Sequence, residues 1–120
     1  MNRIVKVFES GKESRVGSFD NVDILFLGDG NTIKFHESFV AKKKLELIVG
    51  SGCNVCIGAN TNCGEARIEL NATGCSLNVG KDVSLSNVKI ISGGAPSCKI
   101  EIGDHVTFAN DVSLMGGDGF

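Results

Sequence analysis

The chain is 120 residues long and carries 12 Lys+Arg against 14 Asp+Glu, a formal net charge of −2. This predicts one small cooperative domain with no field to draw it to nucleic acid or an anionic membrane surface. With 16 glycines, one proline, no Trp and no Tyr, and with β-branched residues outnumbering good helix formers in most windows, the chain reads as all-β. No apolar run approaches the roughly 20 residues that span a bilayer. The apolar stretch of MNRIVKVFESGKES is too short for a secretory h-region, and the expected location is cytoplasmic.

In chain order, residues 1–28 read as an N-terminal cap and partial coil. Ile4, Val5, Val7 and Phe8 form a capping strand, and Val22, Ile24 and Phe26 a strand on the third face of the coils below. Residues 29–120 read as coils of the same cooperative domain. In the first, Ile33/Phe35, Phe39/Ala41 and Leu45/Leu47 alternate at spacing two and recur at six, as short strands joined by tight turns do. The closing stretch repeats this position for position with Ile100/Ile102, Val106/Phe108 and Val112/Leu114. Two looser copies lie between, Val55/Ile57, Thr61/Cys63 and Ile68/Leu70, then Leu77/Val79, Val83/Leu85 and Val88/Ile90. Their third strands slip by a residue in opposite directions, a difference assigned to a turn.

Phe35 to Ile57 and Ile57 to Val79 are steps of 22 residues, and Val79 to Ile102 is 23. Three hexads leave one corner about four or five residues longer in each coil, within IVGSGCN, NATGCS and SGGAPSCK. A strand with two inward residues cannot bury them alone, so the coils must stack. The expected fold is a single-stranded parallel β-helix of about four to five coils, with three short parallel sheets around a narrow core. Gly58, Gly80 and Gly103 each follow the inward residue that ends a first strand, where a tight corner is expected to need a backbone conformation costly for residues with a Cβ.

Five cysteines without an export signal predict reduced thiols. Cys53, Cys75 and Cys98 align with Asn31 as a ladder along one corner, Cys63 points inward, and Cys56 points outward. Cys53 and Cys56 make one CxxC, but His36 and His105 lie at unrelated spacings, so no metal site is predicted. Lys42, Lys43 and Lys44 fall at a corner, where solvation is the ordinary reading and contact with an anionic cofactor or glycan the functional one. GDGN at 28–31 and GGDG at 116–119 open no helix and read as turns. Asp111 and Asp118 fit turn chemistry. Cys56 has no sequence neighbour to lower its pKa as a nucleophile would need. His105, in the turn IGDHVT beside Asp104, could present an exposed base.

The hexads IGANTN, VGKDVS and IGDHVT resemble those of the hexapeptide-repeat acyltransferases. The 22-residue coils and the ending CKIEIGDHVTFANDVSLMGGDG resemble the N-terminal half of capsule and O-antigen polysaccharide O-acetyltransferases of that superfamily, over about residues 29–119. The resemblance implies a left-handed helix, whereas strand periodicity by itself favours the right-handed crossover. It also implies acetyl-CoA as donor, a sugar or polysaccharide acceptor, and a homotrimer. A histidine just after a segment like SLMGGDG would deprotonate the sugar hydroxyl. That position is Phe120, and a phenyl ring cannot accept a proton. The expectation is an O-acetyltransferase-like β-helix that is catalytically incomplete, with His105 and Asp118 as the candidate catalytic residues. Phe120 lies six after Leu114, as Cys53 lies six after Leu47, and so fits the corner ladder.

The alternative is a non-catalytic structural or oligomerisation solenoid. Trimerisation through one flank would need that flank's outward residues to be apolar. Lys34, Glu46, Asn54, Glu69, Asn78 and Glu101 are polar, which argues against the first face and leaves a corner or the third face.

Overall fold

The structure is a computed structural model that describes residues 1–91, 96–108 and the backbone of 112–115. It is a β-solenoid of about four turns. The chain enters through β1 (Arg3–Val7) and turns back antiparallel through β2 (Glu13–Arg15). Then β3 (Val22–Phe26) begins the third face. The first full coil is β4 (Thr32–His36) and β5 (Val40–Val49), and the second is β6 (Asn54–Ile57) and β7 (Asn62–Leu70). The third coil is β8 (Ser76–Val79), β9 (Ser84–Leu85) and β10 (Val88–Ile91), and the fourth contains β11 (Lys99–Ile102) and β12 (Val112–Met115). Among the described residues there is no helix, and so none long and apolar enough to cross a membrane.

Each coil pairs with the next in parallel and in register. Phe35 is opposite Ile57, Ile57 opposite Val79, and Val79 opposite Ile102, which are the steps of 22 and 23 in the sequence. Period-two alternation sends these residues inward with Ile33, Val55 and Leu77, and all six are buried with Ile102. The second face adds Phe39, Ala41, Thr61, Cys63, Val83 and Leu85 to the interior. Each row gains its burial from the coils above and below, so the stack holds as a unit.

The three faces are hydrogen-bonded as two sheets. The first-face sheet runs β11-β8-β6-β4-β1-β2, and the other runs β12-β10-β7-β5-β3 with β9 on β7. The second and third faces share a sheet because β5 and β7 run through the corner between them without breaking. The slip expected at a turn is taken up there, where the β5–β7 register shifts between Ala41 and Lys44. This changes the third-face alignment. Leu45 and Leu47 are opposite Ala66 and Ile68, while Leu70 is opposite Val49. Val49 and Ala66, both buried, are inward residues that the hexad spacing does not reveal. In the third coil a turn does close this corner, with Asn87 at φ 52°.

The upper end is covered as the sequence predicts, with an addition. β1 extends the parallel sheet onto β4, from Arg3 opposite Thr32 to Val7 opposite His36, and β3 lies on β5 through Val22–Leu45, Ile24–Leu47 and Phe26–Val49. The antiparallel β2, with three exposed polar residues, then forms a short charged edge of the kind that discourages further pairing. Phe19, in the segment leading to β3, stands 4.6 Å from Phe35, which is 4.9 Å from Phe39. These three rings plug the core beneath the cap.

The long corner is a ladder. Gly30, Gly52, Gly74 and Ser97 take φ of 76°, 64°, 73° and 58°. The next residues, Asn31, Cys53, Cys75 and Cys98, are buried. The carbonyl of each accepts from an amide of the coil before it, that of Arg3, Thr32, Asn54 and Ser76 in turn, at 2.8–3.0 Å. At the top the ladder residue is asparagine because it binds the cap. Its Nδ2 donates to Gly50 O at 2.7 Å and Asn2 Oδ1 at 2.9 Å, and its Oδ1 accepts from Cys53 N at 2.9 Å. Asn31→Ala strips buried partners from the Gly50 carbonyl and the Cys53 amide, and should cost about 1–3 kcal/mol in urea unfolding.

Gly58 and Gly80 are required for a reason other than the expected one. Neither has positive φ. Instead, a Cβ on Gly58 would lie 2.6 Å from Gly80 O and 2.7 Å from its carbonyl carbon. One on Gly80 would lie 2.9 Å from Asp104 N and collide with Asp104 Oδ1. The corners stack so closely that the space is filled by the next coil's backbone. At Gly103 a Cβ meets nothing within 4 Å among the described residues.

Candidate functional site

The residues singled out from sequence do not converge. His105 lies at a short corner where Asn60, Asp82 and His105 take φ of 55°, 56° and 59° in successive coils. Asn, Asp and His are the non-glycine residues that most readily accept this left-handed conformation. His105 N donates to Lys81 O at 2.9 Å, as Asp82 N does to Ala59 O. The ring is exposed, with Nδ1 3.3 Å from Asp82 Oδ2. Its sequence neighbour Asp104 points elsewhere, accepting from Lys81 N at 3.0 Å. The corner predicts that His105→Asn melts like the parent, whereas His105→Val, β-branched at positive φ, loses about 1–2 kcal/mol by thermal denaturation. Asp111, Asp118, Phe120 and the segment 116–119 lie outside the described residues.

The lysine run lies at the corner between the second and third faces, as expected, where β5 passes through without a break. Lys42, Lys43 and Lys44 lie exposed within β5, beside the register shift, and Lys44 pairs with Asp23 at 3.0 Å. All five cysteines are thiols and the described residues hold no metal-ligand cluster. Burial raises the Cys53 thiol and pushes Cys63 up to about 11. Cys56, half-buried and outward between Lys34 and Asn78, is raised by desolvation, which the nearby Lys34 charge opposes. A thiol-disulfide reagent at neutral pH should therefore label Cys56 first, and the other four only on unfolding. Peptide mapping of the native adduct checks this.

A cluster that joins a histidine to a carboxylate and a hydroxyl lies elsewhere, under the cap. His36 ends β4 on the outward row, opposite Val7 of β1. The tight turn closing the β1–β2 hairpin, with Phe8 N on Lys12 O at 2.8 Å and Gly11 at φ 90°, brings Glu9 over it. His36 Nε2 is 3.0 Å from Glu9 Oε2. On the other side Nδ1 is 2.7 Å from Ser38 Oγ and accepts from Ser38 N at 3.2 Å. Ser38 Oγ in turn accepts from Asn60 N at 2.7 Å.

These contacts fix the tautomer. A backbone N–H directed at Nδ1 makes that nitrogen the acceptor, so Nε2 carries the proton and donates it to Glu9, and the Ser38 hydroxyl donates to Nδ1. The imidazole is 13% exposed against 82% for Glu9, so the hairpin holds a largely shielded ring through a solvated carboxylate. Beside the ring, Val7, Glu13, Lys34, Cys56 and Gly58 line an open groove of about 300 Å³ on the outer first face. Glu13 and Lys34 pair across it at 2.9 Å.

Sequence reasoning weighed His36 only as a metal ligand. The contact with Glu9 depends on a hairpin turn within residues 1–28, where no repeat guided the reading. The one local signal was the serine two residues after the histidine. No protein-family model, curated protein or solved structure matches the chain.

Proposed function

We propose that the chain is the β-helix portion of an acetyl-CoA-dependent sugar or polysaccharide O-acetyltransferase of the hexapeptide-repeat type, left-handed and working in the cytoplasm. The observation that carries this reading is the conjunction of in-register coils at steps of 22 and 23 residues with close-approach glycines at the same corner. That conjunction turns the hexads IGANTN, VGKDVS and IGDHVT from a sequence resemblance into stacked structural equivalents. Fold alone does not specify chemistry, so the acyl donor and acceptor rest on the resemblance. In this reading His105 and Asp118 are the candidate residues for deprotonating the sugar hydroxyl; His105 Nδ1 faces Asp82 and its ring is exposed. The test is calorimetric titration of the purified chain with acetyl-CoA, beside sedimentation to give its mass. Saturable binding supports the reading, whereas a folded chain that takes up no acetyl-CoA overturns it.

A second reading, a solenoid used for assembly, is favoured by the third face. Its outward row runs Leu25, Ile48, Glu69, Ile91. Leu25 and neighbouring Leu27 are 55% and 58% exposed, and Arg67 bridges Glu46 and Glu69 beside them at 3.1 and 2.8 Å. This is the face through which a homotrimer would pack. A monomer by sedimentation would exclude that packing.

A further inference from the structure

We propose that Ser38 is an ester-reactive nucleophile, with His36 as its general base and Glu9 as the positioning residue, and that the groove lined by His36 accepts the acyl group of a small uncharged ester. The inference stands independently of the acetyl-CoA reading and concerns a different part of the molecule from His105 and Asp118.

Three observations point to it. The hydrogen bonds run in one direction, Ser38 Oγ–H to His36 Nδ1 at 2.7 Å and His36 Nε2–H to Glu9 Oε2 at 3.0 Å. This is the nucleophile, base and orienter arrangement of covalent catalysis, recognised by geometry rather than by residue order. Secondly, Asn60 N–H donates to Ser38 Oγ at 2.7 Å and so favours negative charge on that oxygen as its proton departs. The equivalent amides one and two coils below, of Asp82 and His105, donate instead to backbone carbonyls, Ala59 O and Lys81 O. Only in the first coil does a hydroxyl take the acceptor's place. Thirdly, the groove beside the imidazole is lined by Val7 and Cys56, and its two charges, Glu13 and Lys34, neutralise each other. It suits a neutral acyl group rather than an anion.

The step balances without a co-reactant other than water. Ser38 Oγ attacks the ester carbonyl carbon while its proton passes to His36 Nδ1, displacing the weaker contact from Ser38 N–H. The imidazolium is held through Nε2–H by Glu9. The bond from carbonyl carbon to alcohol oxygen breaks, the alcohol leaves with the proton from Nδ1, and Ser38 carries the acyl group. Water then attacks that acyl group, gives its proton through Nδ1 to the departing Ser38 oxygen, and releases the carboxylic acid. The net change is ester plus water to acid plus alcohol. A positioned base contributes about 10²–10⁴-fold to such a step, which sets the expected scale.

The probe is p-nitrophenyl acetate with the whole chain, reading p-nitrophenol release and, by peptide mass mapping, the acetylated residue. The expected result is an acetyl group on Ser38, release that falls about 10²-fold or more in His36→Gln, and loss of the adduct in Ser38→Ala. Because Ser38→Ala also removes the acceptor of Asn60 N–H, Ser38→Cys serves as the second variant and should restore acetylation at that position. Glu9→Gln should slow release while Glu9→Asp recovers it, and neither should change the melting temperature, since Glu9 is exposed. Acetyl groups found on Cys56 or on lysines alone, or release unchanged in Ser38→Ala and His36→Gln, would overturn the proposal.

Discussion

Ile57→Asp should abolish the cooperative melting transition at neutral pH. Ile57 is 3% exposed and is stacked between Phe35 above and Val79 below, so the new carboxyl has only apolar neighbours in its row. A fully buried carboxyl has its pKa raised by up to 3–5 units, or about 4–7 kcal/mol, and the lost isoleucine contact adds about 1.5–3 kcal/mol. The sum is comparable with the roughly 5–15 kcal/mol that holds a whole domain together. The sign of the pH effect follows from the raised folded-state pKa. The electrostatic penalty is absent below the unfolded carboxyl's pKa of about 3.9 and grows as pH rises from there towards the raised value. Circular dichroism melts of Ile57→Asp should therefore show partial recovery near pH 4 and none at pH 7. Lys43→Ala, on the exposed side of β5, is the control and should stay within about 0.5 kcal/mol of the parent. If Ile57→Asp melted like that control at pH 7, the inward register would be wrong.

The second large effect is expected at Gly58. The Cβ of Gly58→Ala would sit 2.6 Å from Gly80 O and 2.7 Å from Gly80 C, with Lys81 N at 3.1 Å. Each of these is backbone, so no rotamer change can relieve the overlap and two coils must separate. Overpacking of this kind costs typically about 1–3 kcal/mol, and the absence of a movable side chain places Gly58→Ala at the upper end. Gly17→Ala, where a Cβ meets nothing within 4 Å and φ is ordinary, should be nearly neutral. Chemical denaturation of the two variants side by side separates close approach from the general entropy cost of glycine, which would stabilise both alanine variants alike.

The legible part of this fold is the part governed by repetition. A residue that recurs at 22 positions with the same inward neighbours leaves little choice of partner, and Phe35, Ile57, Val79 and Ile102 pair as their spacing requires. The Asn31, Cys53, Cys75, Cys98 ladder was visible for the same reason. The third face was less legible because β5 and β7 turn their corner without a break. The shift sets Lys42 and Lys43 of β5 against the single Gly64 of β7 inside continuous strands, and one glycine within a strand marks a bulge without giving its register, so Ala66 and Val49 escaped notice. Gly58 and Gly80 were located by pattern but given the wrong cause. Sequence shows that a side chain is excluded, and only the adjacent coil shows what excludes it.

The candidate site was hardly legible at all. Glu9 meets His36, which also binds Ser38, because a hairpin folds back over β4, a contact between residues 27 positions apart with no periodic signal to announce it. His105 was easier to see because it stands in a repeated turn, and that turn supplies a conformational reason for the residue in the series Asn60, Asp82, His105. Buried polar networks are specified by geometry at the level of single atoms, whereas apolar rows are specified by spacing.

The claim on which all of this rests is that successive coils stack in parallel at a step of 22 residues through the first face. The direct test is nuclear Overhauser spectroscopy on isotope-labelled protein, reading backbone contacts across β4, β6 and β8. The expected pattern joins Lys34 to Cys56 and Cys56 to Asn78, with Ile33–Val55–Leu77 and Phe35–Ile57–Val79 on either side. Antiparallel contacts between these segments would contradict the stacked-coil account, and parallel contacts offset by one residue would contradict it by turning the inward rows to solvent.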